Sequence, residues 1–115
     1  MGSPAIGGVV LVPFPFSDLS SAKLRPAVVL ASVRRGDYVL CQVTSNPHAD
    51  PLAVEIKGDD FSSGSLERTS FVRVGKLFTA NENLVVRQVG ALKADVHHRI
   101  ILTLVRMLLD ACSRP

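Results

Sequence analysis

Apolar residues in this chain fall in short runs rather than at one long period. Val9, Val10, Leu11 and Val12 form a continuous apolar run that stops at Pro13, the pattern of a strand buried on both faces. Residues 14–23 are rich in Pro and Ser and read as a loop. Pro13 and Pro15 argue against a central strand there. Residues 27–31 give a second strand, Arg34-Arg35-Gly36-Asp37 a hairpin turn, and residues 38–44 a third strand. A Pro-punctuated loop over 46–51 leads to a short strand at 53–56, closed by residues 57–60. Residues 61–67 read as a Ser/Gly loop. Residues 69–74 form a strand before Gly75, and 76–79 a further edge strand. The last β-run covers 84–92, with Gly90 as a bulge or close-approach point.

The period changes after Leu92. Residues 94–112 read as one helix, with Asp95 near the positive end of its dipole. At 100° per residue, Arg99, Thr103, Arg106 and Asp110 fall in one narrow polar arc. Val96, Ile100, Ile101, Leu102, Leu104, Val105, Met107, Leu108, Leu109 and Cys112 cover most of the rest. That apolar arc is wider than one sheet needs: either the helix is sunk between layers or its second side meets a partner, and in a chain this small a subunit interface is the favoured reading. Many short strands and one terminal helix predict a mainly β fold, a small curved sheet or barrel with the helix on one side.

At 115 residues, 47% of them hydrophobic, residues 1–115 read as one globular domain able to build its own core. Met1-Gly2-Ser3 reads as an expression scar. Cys41 and Cys112 both read as buried reduced thiols, which fits a cytoplasmic location. No Cys/His cluster with metal-ligand spacing is present, so neither a metal nor a cofactor is expected. No apolar run approaches a membrane span. The net charge of +3 is compatible with an anionic partner and does not identify one. Walker, dinucleotide-fingerprint, nucleophile-elbow and zincin motifs are all missing.

The chemistry concentrates where two strands meet. Arg25 enters the second strand ahead of Pro26, which restricts it to extended angles. Thr44, Ser45 and Asn46 leave the third. If these strands pair antiparallel, a guanidinium meets hydroxyls and an amide at one rim, an arrangement suited to phosphate. The plain alternatives are a surface arginine paired with Asp18 and a turn made by Thr44-Ser45-Asn46. His48 suits proton transfer or is a solvent-facing loop residue. Arg73 and Lys76, flanking Gly75, are phosphate contacts or a solvated edge. His97 and His98 read as packing or interface residues.

Several segments in order carry a family resemblance. They are Gly7-Gly8-Val9-Val10-Leu11-Val12-Pro13-Phe14-Pro15-Phe16-Ser17-Asp18-Leu19, Lys23-Leu24-Arg25-Pro26-Ala27-Val28-Val29-Leu30, and Val43-Thr44-Ser45-Asn46. The stretch from Ser70 to Thr79 and Val89-Gly90-Ala91-Leu92 extend it. Together they resemble the MazF/PemK toxin endoribonucleases. The resemblance implies an SH3-like β-barrel with a C-terminal helix, a homodimer, and metal-independent cleavage of single-stranded RNA. It also implies a cognate antitoxin that occupies the RNA groove. By position, catalytic roles fall on Arg25 and Thr44. Phe16, Ser17 and Asp18 match a loop that holds RNA, and Arg73 a basic position some members use. Lys23, Ser45, Asn46 and Lys76 join the RNA-binding set, with His48 as an acid/base candidate.

The chain departs from the family pattern in two ways. Gly8 stands where the family has an acid, and Ser20-Ser21 and Gly75 stand where some members carry one. An acid restored at position 8 is therefore expected to raise cleavage. The rival classes are a gyrase-poisoning toxin of the CcdB type, which the absence of tryptophan disfavours, and a non-catalytic RNA- or peptide-binding barrel, which scarce aromatics disfavour.

Overall fold

Continuous apolar runs need cover on both faces of a sheet, and this chain supplies it. The computed structural model describes residues 3–15 and 22–113. The strands are β1 Gly8–Pro15, β2 Ala22–Ser32, β3 Asp37–Thr44, β4 Val54–Ile56, β5 Phe61–Gly64, β6 Ser70–Asn81 and β7 Arg87–Leu92. The helix, α1, is Ala94–Cys112. Among the described residues the strands form one curved sheet in the order β4-β6-β3-β2-β1-β7-β5. Val9, Val28, Cys41, Val43, Val72 and Val74 face one side, where Val96 and Ile100 of the helix complete the core. Val10, Val12, Ala27, Val29 and Leu40 face the other side, covered by Phe14, Phe78 and Val85. Phe14 and Phe78 meet edge to face, with centroids 4.7 Å apart.

The β2–β3 hairpin sets the position of everything at the rim. Its turn places Arg35 at φ 55° and Gly36 at φ 81°, and Asp37 N–H donates to the Arg34 carbonyl at 3.0 Å. Positive φ at both central residues is the hairpin turn that matches the strand twist. Near the turn Ser32 pairs with Tyr38 and Ala31 with Val39. Beyond an irregularity at Leu30, Val29 pairs with Leu40 and Ala27 with Gln42. Continued along the strands, this second register sets Arg25 opposite Thr44. Without the bulge, Arg25 would face Ser45.

The β1–β2 ladder corrects the expectation of a loop beginning at Phe14, for it runs on to Pro15 opposite Ala22. The prolines are tolerated because of where their missing donors would point. The Leu11 carbonyl accepts from Val86 on the β7 side, and β7 pairs with β1 only as far as Leu11. Positions 13 and 15 share that orientation beyond the end of β7, so no ladder bond is lost. Residues 61–67 also depart from expectation. Phe61–Gly64 is an edge strand on β7, anchored by buried Phe61, and its exposed serines gave it the composition of a loop. The strands expected at 69–74 and 76–79 are one strand, β6. Its pairing with β3 jumps from Arg73–Gln42 to Leu77–Cys41 around Gly75.

Cys41 is fully buried, and burial pushes its thiol pKa up to about 12. Cys112 is exposed in the last turn of α1, against the expectation of burial, as are all residues from Leu108 to Ser113 at this end of the helix. His97 lies half-buried beside Gly7 and His98 is exposed.

Gly90 is the close-approach point that the strand pattern predicts. A Cβ there would come to 2.8 Å from the Phe61 ring and 3.0 Å from the Ser63 carbonyl. Gly90→Ala is expected to cost about 1–3 kcal/mol by overpacking, a fall in melting temperature of roughly 5–15 °C. Thermal unfolding followed by circular dichroism checks this, and an unchanged melting temperature contradicts it.

Candidate functional site

Successive pairings assemble a row of side-chain positions across the sheet. Val12 pairs with Arg25, Arg25 stands opposite Thr44 by register, Thr44 pairs with Phe71, and Phe71 with Glu55. The next row holds Ala27, Gln42 and Arg73. Both rows lie on the face that carries Val10, Val12 and Leu40, opposite the helix. Arg25, Thr44 and Arg73 thus share one rim. Ideal sheet spacings put the Arg25 and Arg73 Cα atoms about 12 Å apart, within reach of one phosphate group or two neighbouring ones.

The side chains at this rim differ in how firmly they are held. Arg25 and Thr44 are half-buried. Thr44 Oγ1 accepts from Asn46 N–H at 3.2 Å and donates to the Asn46 carbonyl at 3.1 Å. Asn46 Oδ1 accepts from His48 N–H at 3.0 Å. The Thr-Ser-Asn cluster therefore makes the local turn considered above, and the Thr44 hydroxyl must exchange a backbone partner to meet a phosphate. Ser45, Asn46 and His48 are exposed. Lys23 is exposed opposite Phe14, and Lys76 is exposed just past Gly75. Phe16, Ser17 and Asp18 lie outside the described residues. Among the described residues no group of three or more His, Cys, Asp or Glu side chains is placed to hold a metal ion.

One site residue was missed in the sequence. Asp50 Oδ2 accepts from Arg73 Nε–H at 3.1 Å, and both side chains are mostly buried, 14% and 20% exposed. The topology brings them together. β3 and β4 flank β6, so residues 45–53 must cross over β6 between Thr44, opposite Phe71, and Val54, opposite Val72. An acid in that crossover reaches Arg73. The signal was an acid inside a nine-residue connection, legible only once both of its ends were known to pair with one strand. The crossover also holds backbone strain. His48 and Ala49 have φ of 53° and 58°, and Asp50 N–H closes the turn on the Pro47 carbonyl at 3.0 Å. Left-handed geometry costs a non-glycine residue about 1–2 kcal/mol.

Position 8 lies elsewhere. It sits four residues along β1 from Val12, about 13 Å away at strand rise. A Cβ there would come to 2.8 Å from both the Ala5 carbonyl and Gln88 Oε1. The expectation that an acid restored at position 8 raises cleavage has no support in this geometry.

Comparison with known proteins agrees with this architecture. The solved MazE–MazF complex from Deinococcus radiodurans has a chain similar to this one with a TM-score of 0.73 at 22% identity, over 96% of this chain and 98% of that one. An endoribonuclease in complex with its cognate antitoxin from a mycobacterial species gives 0.70 at 16% identity, over 94% and 95%. The Mycobacterium tuberculosis toxin MazF-mt6 gives 0.67 at 17%, over 90% and 96%. These likenesses define a MazF-type toxin fold. A search of curated protein sequences gives no match. The family model for PemK-like, MazF-like toxins of type II toxin–antitoxin systems matches residues 5–108, and the chain belongs to that family.

The Asp50 carboxyl is held below its ordinary pKa. The Leu52 backbone N–H contributes most, then the Arg73 hydrogen bond, with the charges of Arg73 and Lys76 adding and burial opposing. A lowered folded-state pKa gives stability that is present above the unfolded value, near 4, and lost as pH falls through the folded one. Asp50→Ala should therefore cost about 2 kcal/mol at pH 7, a gap that shrinks below about pH 4. Urea unfolding of both proteins across pH checks this. A gap that persists unchanged into strong acid contradicts it.

Proposed function

We propose that this chain is a toxin endoribonuclease that cleaves single-stranded RNA at short sequences without a metal ion. The reading rests on the β2–β3 register, which, carried two residues past the last observed pair, Ala27–Gln42, sets Arg25 opposite Thr44, with Arg73 paired to Gln42 in the next row. Family membership supports it, and so do similar structures described as endoribonucleases. The RNA's own 2′-OH attacks the adjacent phosphorus, the bond to the 5′ oxygen breaks, and a 2′,3′-cyclic phosphate and a 5′-OH result. Negative charge grows on the phosphate oxygens in the transition state, and the Arg25 guanidinium offers two parallel donors to it. Thr44 orients the phosphate or the 2′-OH. Arginine is too weak an acid to act as an ordinary free base, so Arg25 serves by charge stabilisation. Asp50 is a poor base because its carboxyl is held low and paired with Arg73. His48, in the same crossover, is the remaining proton-transfer candidate.

The same reading includes a cytoplasmic homodimer and a cognate antitoxin that blocks the RNA groove. Leu102, Val105, Leu108 and Leu109 form an exposed apolar stripe on α1, with Leu109 61% exposed. A second copy would cover it. Among the described residues no helix is long and apolar enough to cross a membrane.

Purified protein incubated with a long RNA in EDTA is expected to give site-specific fragments ending in 2′,3′-cyclic phosphate. Arg25→Ala and Thr44→Ala should remain folded and each lose on the order of a hundredfold or more in rate. Cleavage that requires a divalent ion, or that survives both substitutions, would falsify the assignment. Leu109→Asp should shift the protein from dimer to monomer in sedimentation, and an unchanged mass contradicts the proposed dimer face.

A further inference from the structure

We infer that Asp50 is the positioning residue of the rim: it fixes the Arg73 guanidinium for a phosphate that Arg25 and Thr44 also engage. This rests on the ribonuclease reading above. Both carboxylate oxygens are held. Oδ1 accepts from Leu52 N–H at 2.9 Å and Oδ2 from Arg73 Nε–H at 3.1 Å. A carboxylate gripped by its own backbone cannot rotate freely, so it sets the plane of the guanidinium it holds. With Nε occupied, the terminal Nη donors remain for an incoming anion.

The backbone is shaped for this contact. Two successive L-residues, His48 and Ala49, adopt left-handed geometry immediately before Asp50. Such residues persist where their surroundings over-determine them. Here the Asn46–His48 and Pro47–Asp50 bonds close the turn from inside, and the Asp50–Arg73 pair anchors its far end on β6. Asp50 also feels the charges of both Arg73 and Lys76, and it offsets part of the repulsion between Arg73 and Arg25 on the rim. It touches no reacting atom in this account and acts through Arg73.

That division of roles predicts opposite effects on binding and turnover. Removing the Asp50 charge leaves the rim more cationic, so RNA binds as tightly or more tightly, and the salt slope steepens by about one. Turnover falls because Arg73 is no longer held, by roughly ten- to a hundredfold. A loss of fold would weaken both together.

The test uses the full chain as wild type, Asp50→Ala, Asp50→Asn, Arg73→Ala and the Asp50→Ala/Arg73→Ala double variant. Cleavage is measured on a long RNA, and binding on an uncleavable 2′-deoxy oligonucleotide by fluorescence anisotropy. Arg73 Nε–H is followed by NMR. Asp50→Ala should lose kcat with binding preserved, and Asp50→Asn, which keeps an acceptor, should recover part of it. In the Arg73→Ala background, Asp50→Ala should cost nothing further. The slowly exchanging Arg73 Nε–H signal should be present in wild type and lost in Asp50→Ala. Additive losses, unchanged kcat in both Asp50 variants, or an Nε–H signal indifferent to Asp50 overturn the inference. Wild type that cleaves no RNA sinks the ribonuclease reading. The Nε–H signal and the oligonucleotide affinities then decide the positioning role alone.

Discussion

The register of the β2–β3 hairpin is the constraint on which the rest depends. A side chain's face and partner change with a one-residue slip, and this hairpin contains one such shift by design of its backbone. The tight turn at Arg35-Gly36 starts the pairing in one register, and the irregularity at Leu30 moves it to another. Only the second register sets Arg25 across from Thr44. The burial pattern enforces it: Val28 and Cys41 pack under the helix while Val29 and Leu40 pack on the other face. Apolar burial on both faces thus fixes the polar geometry at the open end of the same strands.

A second layer of order comes from the crossover between β3 and β4. It has to pass over β6, and it uses the passage to bring a carboxylate to Arg73. Cations gathered on one rim repel one another, and an acid held by its backbone relieves part of that repulsion. The strained turn at His48 and Ala49 opposes folding, and the hydrogen-bonded pair at its end offsets that cost. Both rim arginines are carried by strands, and the crossover loop also holds the side chain of Arg73.

Much of this was legible in residue order. The helix was readable because its apolar residues recur at helical spacing over five turns, and the hairpin because Arg-Gly sits between two apolar runs. That Arg25 and the Thr44-Ser45-Asn46 cluster lie at the same end of those two strands was readable from their lengths. The bulge at Leu30 that sets Arg25 toward Thr44 rather than Ser45 was not. The family resemblance supplied the chemistry. The failures share a cause: partner strands distant in sequence decide them. Pro13 and Pro15 remain in a ladder because β7 stops pairing at Leu11. Phe61–Gly64 is a strand because β7 offers an edge and Gly90 admits the Phe61 ring. Asp50 belongs to the site because β4 returns to the far side of β6. Cys112 is a separate case: it lies in a last helical turn and a half whose residues are all exposed.

In the proposed reaction Arg25 and Thr44 act on one phosphate. The most direct measurement is a crystal structure of the full chain with a single-stranded RNA whose 2′-hydroxyls are methylated to prevent cleavage. One phosphate is expected with oxygens at hydrogen-bond distance, about 3 Å, from both the Arg25 guanidinium and Thr44 Oγ1. The Thr44 hydroxyl would have left its Asn46 partner to make that contact. RNA seated elsewhere on the molecule, or a phosphate that meets neither side chain, would contradict it.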